Sequence, residues 1–310
     1  MIATLTINPA FDKSLVVEKL IPEKKLRCSN TAMEAGGGGI NVSRAIQKLG
    51  GESIAIFPSG GLNGRCLNQI LETQNIAFKS IPVSNETREN FTVTESFATA
   101  QYRFVMPGSF LSNAEIEACI TAITSLNPSP TIIVASGSLP PGVPDNFFAR
   151  LAVVTKQIGA KYILDTSGIP LKLALQECVY LLKPNLSELC SLVEKDYLQL
   201  DEVDAAAQEV IKKARCEVIV VSMGPAGAML VTANEQERIP APVVKKLSTV
   251  GAGDSMLGGM AWMLEQGATL KEVVRFGVAC GTAATMNTGS QLFKKENVLE
   301  IYKWIDEHSK

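Results

Sequence analysis

Short runs of apolar, often β-branched residues alternate with helical patterns along much of the chain. They include "ESIAIF" before "GRCLNQILETQ", "TIIVAS" before "DNFFARLAVVTKQIG", and then "KYILDTS", "VYLLKP" and "EVIVVS". Apolar strands that alternate with helices predict a mostly parallel sheet covered by helices. In such a sheet, ligands bind beyond the carboxyl ends of the strands.

Chemically distinctive residues follow four of the predicted strands. They are residues 136–138, Asp165, residues 183–185 and residues 222–227. Because each group comes directly after a strand, it lies where a sheet of this kind binds its ligand. The sequence therefore predicts a site along this edge of the sheet.

Two segments interrupt the alternation of strands and helices. Residues 13–36 and 87–108 are strand-like and show little helical periodicity. We expect them to form a small β-lid built from two excursions of the chain. Because no Pro/Ser-rich linker, internal repeat or low-complexity tract is present, we expect lid and core to form a single domain over residues 1–310.

Charge and composition narrow the class of protein. The 29 Lys and Arg residues nearly balance the 31 Asp and Glu residues, which disfavours nucleic acid and membrane surfaces as partners. The only histidine, His308, argues against histidine-based metal clusters and triads. Seven scattered cysteines without a CxxC pair, no leader pattern and no run of about 18 apolar residues predict a cytoplasmic protein with a small-molecule ligand.

The stretch "STVGAGDSMLGGM" predicts a glycine turn that enters a helix. Backbone amides at Gly251, Ala252 and Gly253, together with the positive end of the helix, would bind an anion such as a transferring phosphoryl group. A carboxylate at Asp254, beside that anion, can accept the proton of an attacking hydroxyl. The alternative is that Asp254 only caps its helix.

The stretch "EAGGGGINVSRAIQKLGG" predicts a second helix, which follows four glycines and ends at Gly50. The glycine run 36–39 allows close approach of the backbone to a ligand, and Asn41 is placed to bind sugar hydroxyls. A flexible loop is the alternative. The chain has no GxxxxGK[ST], which excludes a P-loop, and no strand followed by GxGxxG, which disfavours a dinucleotide fold.

The pairing of "GGGGIN" at 36–41 with "STVGAGDS" at 248–255 resembles the two signatures of the ribokinase-like, or PfkB, family of sugar kinases. The resemblance extends along the chain in order, through "NPAFD" at 8–12, "KKLR" at 24–27, "ETREN" at 86–90, "QYRFVMPG" at 101–108, "SGSLPPG" at 136–142, "KPNLSEL" at 183–189 and "VSMGPAGA" at 221–228. It implies an α/β fold, the ribokinase-like three-layer α/β/α arrangement with a mostly parallel central sheet and a small β-sheet lid.

The resemblance also implies roles on the sugar side. Asp254 would be the general base, and the amides of residues 251–253 would stabilise the transferring phosphoryl group. Positions that match the family's substrate-binding residues are Asp12, Lys25, Arg27, Gly37, Gly38, Asn41, Arg88, Arg103 and Ser138. Lys25 and Arg27 would share one face of an extended strand and clamp the substrate's phosphate with Arg88. Arg103 would join from a partner subunit; taken separately, these basic residues are ordinary surface charges.

On the nucleotide side, the resemblance implies an ATP site that requires Mg²⁺. The matching ATP-binding positions are Lys183, Asn185, Ser222, Gly224 and Gly227. Asn185 and Glu188 would orient the water shell of Mg²⁺. The alternative is a capping pair at the start of a helix, which is compatible with that role. Positions that resemble the family's monovalent-cation loop, which implies K⁺ as an activator, are Ser248, Val250, Ala284, Asn287 and Gly289.

The substrate that the resemblance implies is fructose 6-phosphate, phosphorylated at its C1 hydroxyl with ATP. Family branches acting on fructose 1-phosphate or tagatose 6-phosphate usually carry a lysine in the glycine motif, where this chain has only glycine. The Asn-Pro pair in "TINPAFD" is common in those other branches, so they stay as alternatives. A catalytically silent phosphosugar-binding regulator would show erosion of the base, the anion site or the Mg²⁺ motif, and all three are intact.

The predicted lid also indicates the oligomeric state of the protein. A partly apolar pair of lid strands exposed in a monomer is an edge that other chains can pair with. A second lid would cover it, so we expect a homodimer formed through the lids.

Overall fold

A computed structural model describes residues 1–98, 100–289 and 291–309 of the chain. In this part, strands and helices follow one another as β1 (Ile2–Leu5), β2 (Ala10–Val17), β3 (Ser29–Gly36), α1 (Gly38–Leu49), β4 (Ser53–Ser59), α2 (Gly61–Thr73), β5 (Phe78–Pro82), β6 (Arg88–Glu95), β7 (Ala100–Phe104), α3 (Asn113–Thr124), β8 (Ile132–Ser136), α4 (Phe147–Gln157), β9 (Lys161–Asp165), α5 (Gly168–Ala174), β10 (Val179–Leu182), α6 (Leu186–Leu192), α7 (Val203–Lys213), β11 (Cys216–Ser222), β12 (Ala228–Thr232), β13 (Gln236–Ile239), α8 (Ala252–Glu265), α9 (Leu270–Thr285) and α10 (Lys295–His308).

The larger sheet has nine strands in the described part of the chain, in the order β13-β12-β11-β10-β9-β8-β1-β4-β5. The strands from β5 across to β11 run parallel to their neighbours. β12 and β13 continue the sheet as antiparallel strands. The prediction of a mostly parallel sheet is confirmed.

Both faces of this sheet are buried, which explains why its strands read as continuous apolar runs. Along β8, Ile132 and Val134 pack into a core formed with α1, α8, α9 and α10. Ile133 and Ala135, on the opposite face, pack into a second core with α3 to α7. Because side chains alternate across a strand, one apolar run supplies both cores. The result is the three-layer α/β/α arrangement predicted above.

A smaller sheet forms the lid. Within the described residues it has four strands in the order β3-β2-β6-β7, and the central pair β2 and β6 is parallel. The first excursion begins at Ala10, three residues before the predicted start at 13. The register places Asp12 beside both Glu34 of β3 and Asn90 of β6.

Lys25 and Arg27 do not lie on a strand, contrary to the prediction. They occupy the exposed loop 18–28 between β2 and β3. Pro22 has no amide hydrogen to donate to a ladder, and Glu23 has a left-handed φ of 58°. The chain thus turns at these two residues, between the end of β2 at Val17 and the start of β3 at Ser29.

Within residues 1–98, 100–289 and 291–309, no helix is both long enough and apolar enough to cross a lipid bilayer.

Candidate active site

The carboxyl ends of β8, β9, β10 and β11 lie next to one another, as predicted for the distinctive residues that follow them. Ser136 and Asp165 are cross-strand partners. Lys183, directly after β10, is 5% exposed, and its Nζ lies 3.2 Å from Oδ2 of Asp165. Burial by itself would lower the pKa of Lys183, but the carboxylates of Asp165, Glu188 and Asp254 outweigh it and the pKa is raised. The Lys183 ammonium group therefore keeps its positive charge at the carboxyl edge of the sheet.

The glycine turn before α8 faces that ammonium group. Gly251 has a left-handed φ of 72°, and a Cβ there would also lie 2.6 Å from Cδ2 of Leu292, so only glycine fits. A Cβ on Gly253 would lie 3.4 Å from Nζ of Lys183. The first-turn amides of α8 and the Lys183 charge thus border the same space, and both favour an anion.

Asp254 lies in the first turn of α8 and is half-buried. Its Oδ2 accepts a hydrogen bond from Nδ2 of Asn41 at 2.9 Å, so it is held by a different helix. Burial raises the pKa of Asp254 to about 6, with a second contribution from the charge of Asp165; the Asn41 bond, Lys183 and Arg103 act in the opposite direction. A carboxylate with this pKa is ionised at neutral pH and is still basic enough to accept a proton.

The glycine run packs tightly against neighbouring strands. Helix α1 begins at Gly38, inside the run and earlier than predicted. A Cβ on Gly38 would collide with the Ser136 hydroxyl, and one on Gly39 would lie 2.6 Å from the Leu5 carbonyl oxygen. The flexible-loop alternative is therefore wrong. The small residues bring the start of α1 against the ends of β1 and β8, and this places Asn41 beside Asp254.

The lid presents polar side chains to a cavity. Asp12, Glu34, Asn90 and Arg103 line it, and its opposite wall is formed by Val250 and Gly289. Nδ2 of Asn90 donates to Oδ1 of Asp12 at 2.8 Å, and Oδ1 of Asn90 accepts from the Met106 amide at 3.0 Å. Burial raises the pKa of Asp12, while the Asn90 bond and the charge of Arg88 oppose the shift.

Of the four basic residues expected at the substrate's phosphate, Arg88 and Arg103 both act on the charge of Asp12, whereas Lys25 and Arg27 lie in the loop 18–28. Arg88 donates to the main-chain carbonyls of Met106 at 2.7 Å, Asn8 at 2.9 Å and Pro9 at 3.4 Å. Arg88 therefore joins the start of β6 to the segment before β2 and to the segment after β7. Arg103 lines the cavity of its own chain, where the sequence had suggested a partner's site. Among the contacts of the described residues, none joins Lys25 or Arg27 to Arg88.

Ser138 lies in the loop after β8. Its hydroxyl accepts a hydrogen bond from Nδ2 of Asn8 at 3.2 Å, and the same Nδ2 lies 3.2 Å from the Pro107 carbonyl oxygen. Ser138 is thereby tied to the segment that leaves the lid. Gly37, at the cap of α1, and the loop of Ser138 border the same end of the sheet.

Asn185 and Glu188 form a capping box at the start of α6, which is the alternative left open by the sequence. The Glu188 amide donates to Oδ1 of Asn185 at 2.9 Å, and the Asn185 amide donates to Oε2 of Glu188 at 2.8 Å. Burial and the nearby Asp165 raise the pKa of Glu188, while the Asn185 amide lowers it. One oxygen of Glu188 remains beyond the cap, so capping does not prevent a further ligand.

The remaining nucleotide-side positions surround a turn after β11. The amide of Ser222 donates to the Pro184 carbonyl at 2.8 Å, which joins β11 to the loop of Asn185. Gly224 has a φ of 58°, and the space around it is open. Gly227 is required by packing, because a Cβ there would collide with the carbonyl of Ile239.

The residues of the expected cation loop come together at the end of α9. The amide of Ser248 lies 3.3 Å from the Thr285 carbonyl oxygen, and the amide of Val250 donates to Oγ of Ser248 at 3.1 Å. The Ala284 carbonyl accepts from the Asn287 amide at 3.2 Å. Gly289 follows with a φ of 60°. The segment of Ser248 is thus joined to the end of α9 by a main-chain hydrogen bond to Thr285.

Two residues that the sequence analysis did not single out belong to this arrangement. Asn90 was visible only as part of "ETREN", and its partner Asp12 is 78 residues away. Arg44 follows Asn41 by three positions and is buried. An arginine in a helical pattern is usually solvated, so nothing in the sequence marked it.

The model of the pfkB family carbohydrate kinases matches residues 7–297 of this chain. The ATP-dependent 6-phosphofructokinase isozyme 2 of Escherichia coli strain K12 is 41% identical over 305 residues, which cover 98% of each chain. A 1-phosphofructokinase of Borreliella burgdorferi is 30% identical over 287 residues, or 92% of each chain.

Among solved structures, the crystal structure of phosphofructokinase-2 from Escherichia coli in complex with potassium superposes with a TM-score of 0.94. It is 41% identical and covers 98% of this chain and 99% of its own. The three-layer fold with its lid is thus the ribokinase-like fold of carbohydrate kinases. This chain belongs to the pfkB family of carbohydrate kinases.

Proposed function

We propose that the chain is an ATP-dependent 6-phosphofructokinase, which transfers the γ-phosphoryl group of ATP to the C1 hydroxyl of fructose 6-phosphate. The observation that carries this proposal is Asp254, held by Asn41 at the start of α8 with a pKa raised to about 6. The 41% identity to the isozyme 2 enzyme over 98% of the chain supports fructose 6-phosphate as the acceptor.

In the proposed reaction, Asp254 accepts the proton of the C1 hydroxyl as its oxygen attacks phosphorus. The amides of Gly251, Ala252 and Gly253 stabilise the negative charge on the transferring group. Lys183, whose Nζ lies beside Gly253, adds a positive charge on the same side. After transfer, the bond from phosphorus to the β,γ-bridging oxygen is broken and ADP leaves.

The sugar occupies the space between lid and core. Asp12 and Asn41 bind its hydroxyls, and Gly37, Gly38 and Ser138 form the floor. Arg103 lines the cavity, and its positive charge acts on both Asp12 and Asp254, so it is the first candidate for the phosphate of the substrate. Arg88 lies at the same end and has to exchange a carbonyl partner for a phosphate oxygen. Lys25 and Arg27 reach the phosphate only if the loop 18–28 approaches the cavity.

ATP binds along the nucleotide side, with Lys183, Asn185, Ser222, Gly224 and Gly227 around it. A divalent cation, which we assign as Mg²⁺, neutralises charge on the ATP phosphates. Glu188 and Asp165 fit this ion because they offer carboxylate oxygens that hydrated Mg²⁺ prefers, and their proximity to each other contributes to the raised pKa of Glu188.

K⁺ is the proposed monovalent activator. The carbonyls of Ser248, Val250 and Ala284, with the loop of Asn287 and Gly289, supply the neutral oxygen ligands that such a cation requires. A potassium complex of the Escherichia coli relative supports this assignment.

We assign the chain to the cytoplasm and propose that it is a homodimer. The lid exposes apolar side chains on both of its edge strands, with Met33 of β3 61% exposed and Phe104 of β7 49% exposed. Pairing of two lids would remove this surface from water.

The deciding experiment is ADP release with Mg-ATP and K⁺, comparing fructose 6-phosphate, fructose 1-phosphate and tagatose 6-phosphate at equal concentrations. We expect the highest kcat/KM with fructose 6-phosphate. Preference for fructose 1-phosphate or tagatose 6-phosphate would move the enzyme to a sister branch, for which the 30% identical 1-phosphofructokinase provides a precedent. Absence of turnover on all three would favour a phosphosugar-binding regulator.

A further inference from the structure

Arg44 is a charged residue buried beneath the proposed site. It lies on α1 and is 5% exposed. Nη1 donates to Oδ1 of Asn41 at 3.0 Å and to the Ala35 carbonyl at 3.4 Å, and Nε donates to Oε1 of Gln74 at 3.1 Å. A buried guanidinium group is costly to maintain, and here its hydrogen bonds lead directly to a residue that holds the catalytic carboxylate.

The bond from Arg44 decides which way the side-chain amide of Asn41 faces. A guanidinium group can only donate hydrogen bonds, and an ionised carboxylate can only accept them. Oδ1 of Asn41 must therefore face Arg44, which leaves Nδ2 to face Oδ2 of Asp254 at 2.9 Å. Without the guanidinium, rotation of the amide by half a turn would place a carbonyl oxygen against the carboxylate.

We propose that Arg44 is a positioning residue for phosphoryl transfer, because its hold on Oδ1 of Asn41 keeps Nδ2 donating to the carboxylate of Asp254. This inference rests on the proposed function. Gln74, at the end of α2, fixes the other side of the guanidinium group, so the chain of contacts runs from Gln74 through Arg44 and Asn41 to Asp254. The proposed role is indirect, because it runs through Asn41 and requires no contact of Arg44 with substrate or ATP.

The charges around Arg44 and Asp254 bear on how the pKa of Asp254 should change when the guanidinium is removed. The carboxylates of Glu34, Asp12 and Asp254 partly offset the lowering of the Arg44 pKa by burial. Asp254 also faces Asp165, Lys183 and Arg103. Removal of the guanidinium frees the donor amide of Asn41 to turn away from Asp254. The Asn41 hydrogen bond lowers the pKa of Asp254, so its loss should raise that pKa.

The test compares Arg44→Met, Asn41→Leu and the double variant with the wild type, using fructose 6-phosphate and Mg-ATP. For Arg44→Met we expect kcat at pH 8 to fall by about 10-fold or more, since a hydrogen bond to a charged group is lost. The acidic limb of the kcat profile should move to higher pH by about 0.5 to 1 unit. The double variant should be no slower than Asn41→Leu alone, because Arg44 acts through Asn41.

A matched control separates positioning from general stability. Arg275 is also partly buried and bonded to two carboxylates, Glu237 and Asp306, but it lies on α9 outside the site. Arg275→Met should lower the melting temperature and leave the pH profile in place. If Arg44→Met does not fold, Gln74→Leu replaces it. Freeing the outer side of the guanidinium should then lower kcat about 2- to 5-fold with a pH shift in the same direction.

The outcomes distinguish failure of the Arg44 inference from failure of the proposed function. A folded Arg44→Met, or Gln74→Leu in its place, that retains wild-type kcat and an unmoved acidic limb overturns the inference while the proposed function stands. Strictly additive losses in the double variant also overturn it. If the wild type does not phosphorylate fructose 6-phosphate, the proposed function fails first and the inference falls with it. Partial recovery of kcat and of the pH midpoint in Arg44→Lys supports it, because one ammonium donor can still reach Asn41.

Discussion

Nζ of Lys183 lies 3.2 Å from Oδ2 of Asp165, and the two side chains are only 5% and 17% exposed. Lys183 follows β10 and Asp165 ends β9, so neighbouring strands of the sheet bring the pair together. The pair places a positive charge beside the turn of Gly253 without leaving either ion unpaired.

Neutralising one member of the Lys183–Asp165 pair should lower the free energy of unfolding more than replacing both members with apolar residues. Asp165→Asn leaves the Lys183 ammonium buried beside a neutral amide, and we expect it to lower the free energy of unfolding by about 3 kcal/mol or more. Lys183→Met together with Asp165→Leu should be less destabilising than Asp165→Asn, because no charge remains unpaired. Urea unfolding of both variants measures the difference. A double variant at least as unstable as Asp165→Asn would contradict the expectation.

Asp254→Asn should abolish most turnover and leave binding intact. The amide cannot accept the proton of the C1 hydroxyl, while its volume and its oxygen acceptor for Asn41 are preserved. We expect kcat to fall by about 100- to 10,000-fold. The dissociation constant for fructose 6-phosphate, measured by calorimetry, should change far less. Turnover close to that of the wild type would remove Asp254 as the base.

The raised pKa of Asp254 also predicts opposite effects of pH on activity and on stability. The base must be ionised, so kcat should decline as pH falls through about 6. A carboxyl group whose pKa is higher in the folded state binds its proton more tightly there, so this group lowers stability as pH rises from 3.8 to about 6.

Above that range the cost to stability is at most about 3 kcal/mol. Asp254→Asn, which carries no charge to bury, should therefore melt at a higher temperature than the wild type at pH 8. The difference should disappear below pH 4, where both side chains are neutral. Calorimetric scans at the two pH values test this, and a variant less stable at pH 8 would contradict it.

The main features of the sheet could be predicted from sequence because its central strands are buried on both faces. β8 and β11 are continuous apolar runs. The edge strand β5, "FKSIP", is mostly half-exposed or exposed, and it was not predicted. The placement of Lys25 and Arg27 on a strand was wrong because β2 ends at Val17 and the chain turns at Pro22 and Glu23 before β3 begins at Ser29.

The sequence indicated candidate site residues where a motif combines unusual residues with glycines of fixed geometry. Asp254 and Asn41 stand beside glycines that pack against backbone, and the structure joins them by a hydrogen bond across 213 residues. The role of Arg44 could not be predicted, since its partners Asn41 and Gln74 meet only after α1 and α2 have packed. The side on which Arg103 faces depends on lid register, which the sequence does not specify.

Gly38 is required for close packing of α1 on β8. A Cβ at this position would collide with the Ser136 hydroxyl and lie 3.0 Å from the Ser136 carbonyl carbon. We expect Gly38→Ala to lower the free energy of unfolding by about 1–3 kcal/mol and to raise KM for the sugar, since Asn41 is carried on the same helix. Ser136→Gly should suppress part of the loss by removing the side chain. If adding Ser136→Gly does not reduce the stability loss caused by Gly38→Ala, the clash does not involve the Ser136 side chain.

The proposed homodimer predicts that charge on the lid will separate the subunits. Met33 and Phe104 lie on the two edge strands of the lid, and both are largely exposed in the single chain. Met33→Asp with Phe104→Asp would bury carboxylates in a lid-to-lid contact, so the dissociation constant should rise by about 100-fold or more. Tyr197→Asp is the control, because Tyr197 is 68% exposed in the loop after α6, away from the lid. Light scattering after size exclusion should show a dimer for the wild type and the control and a monomer for the double variant. A wild type that remains monomeric at micromolar concentration, or a double variant that remains dimeric, would rule out assembly through the lids.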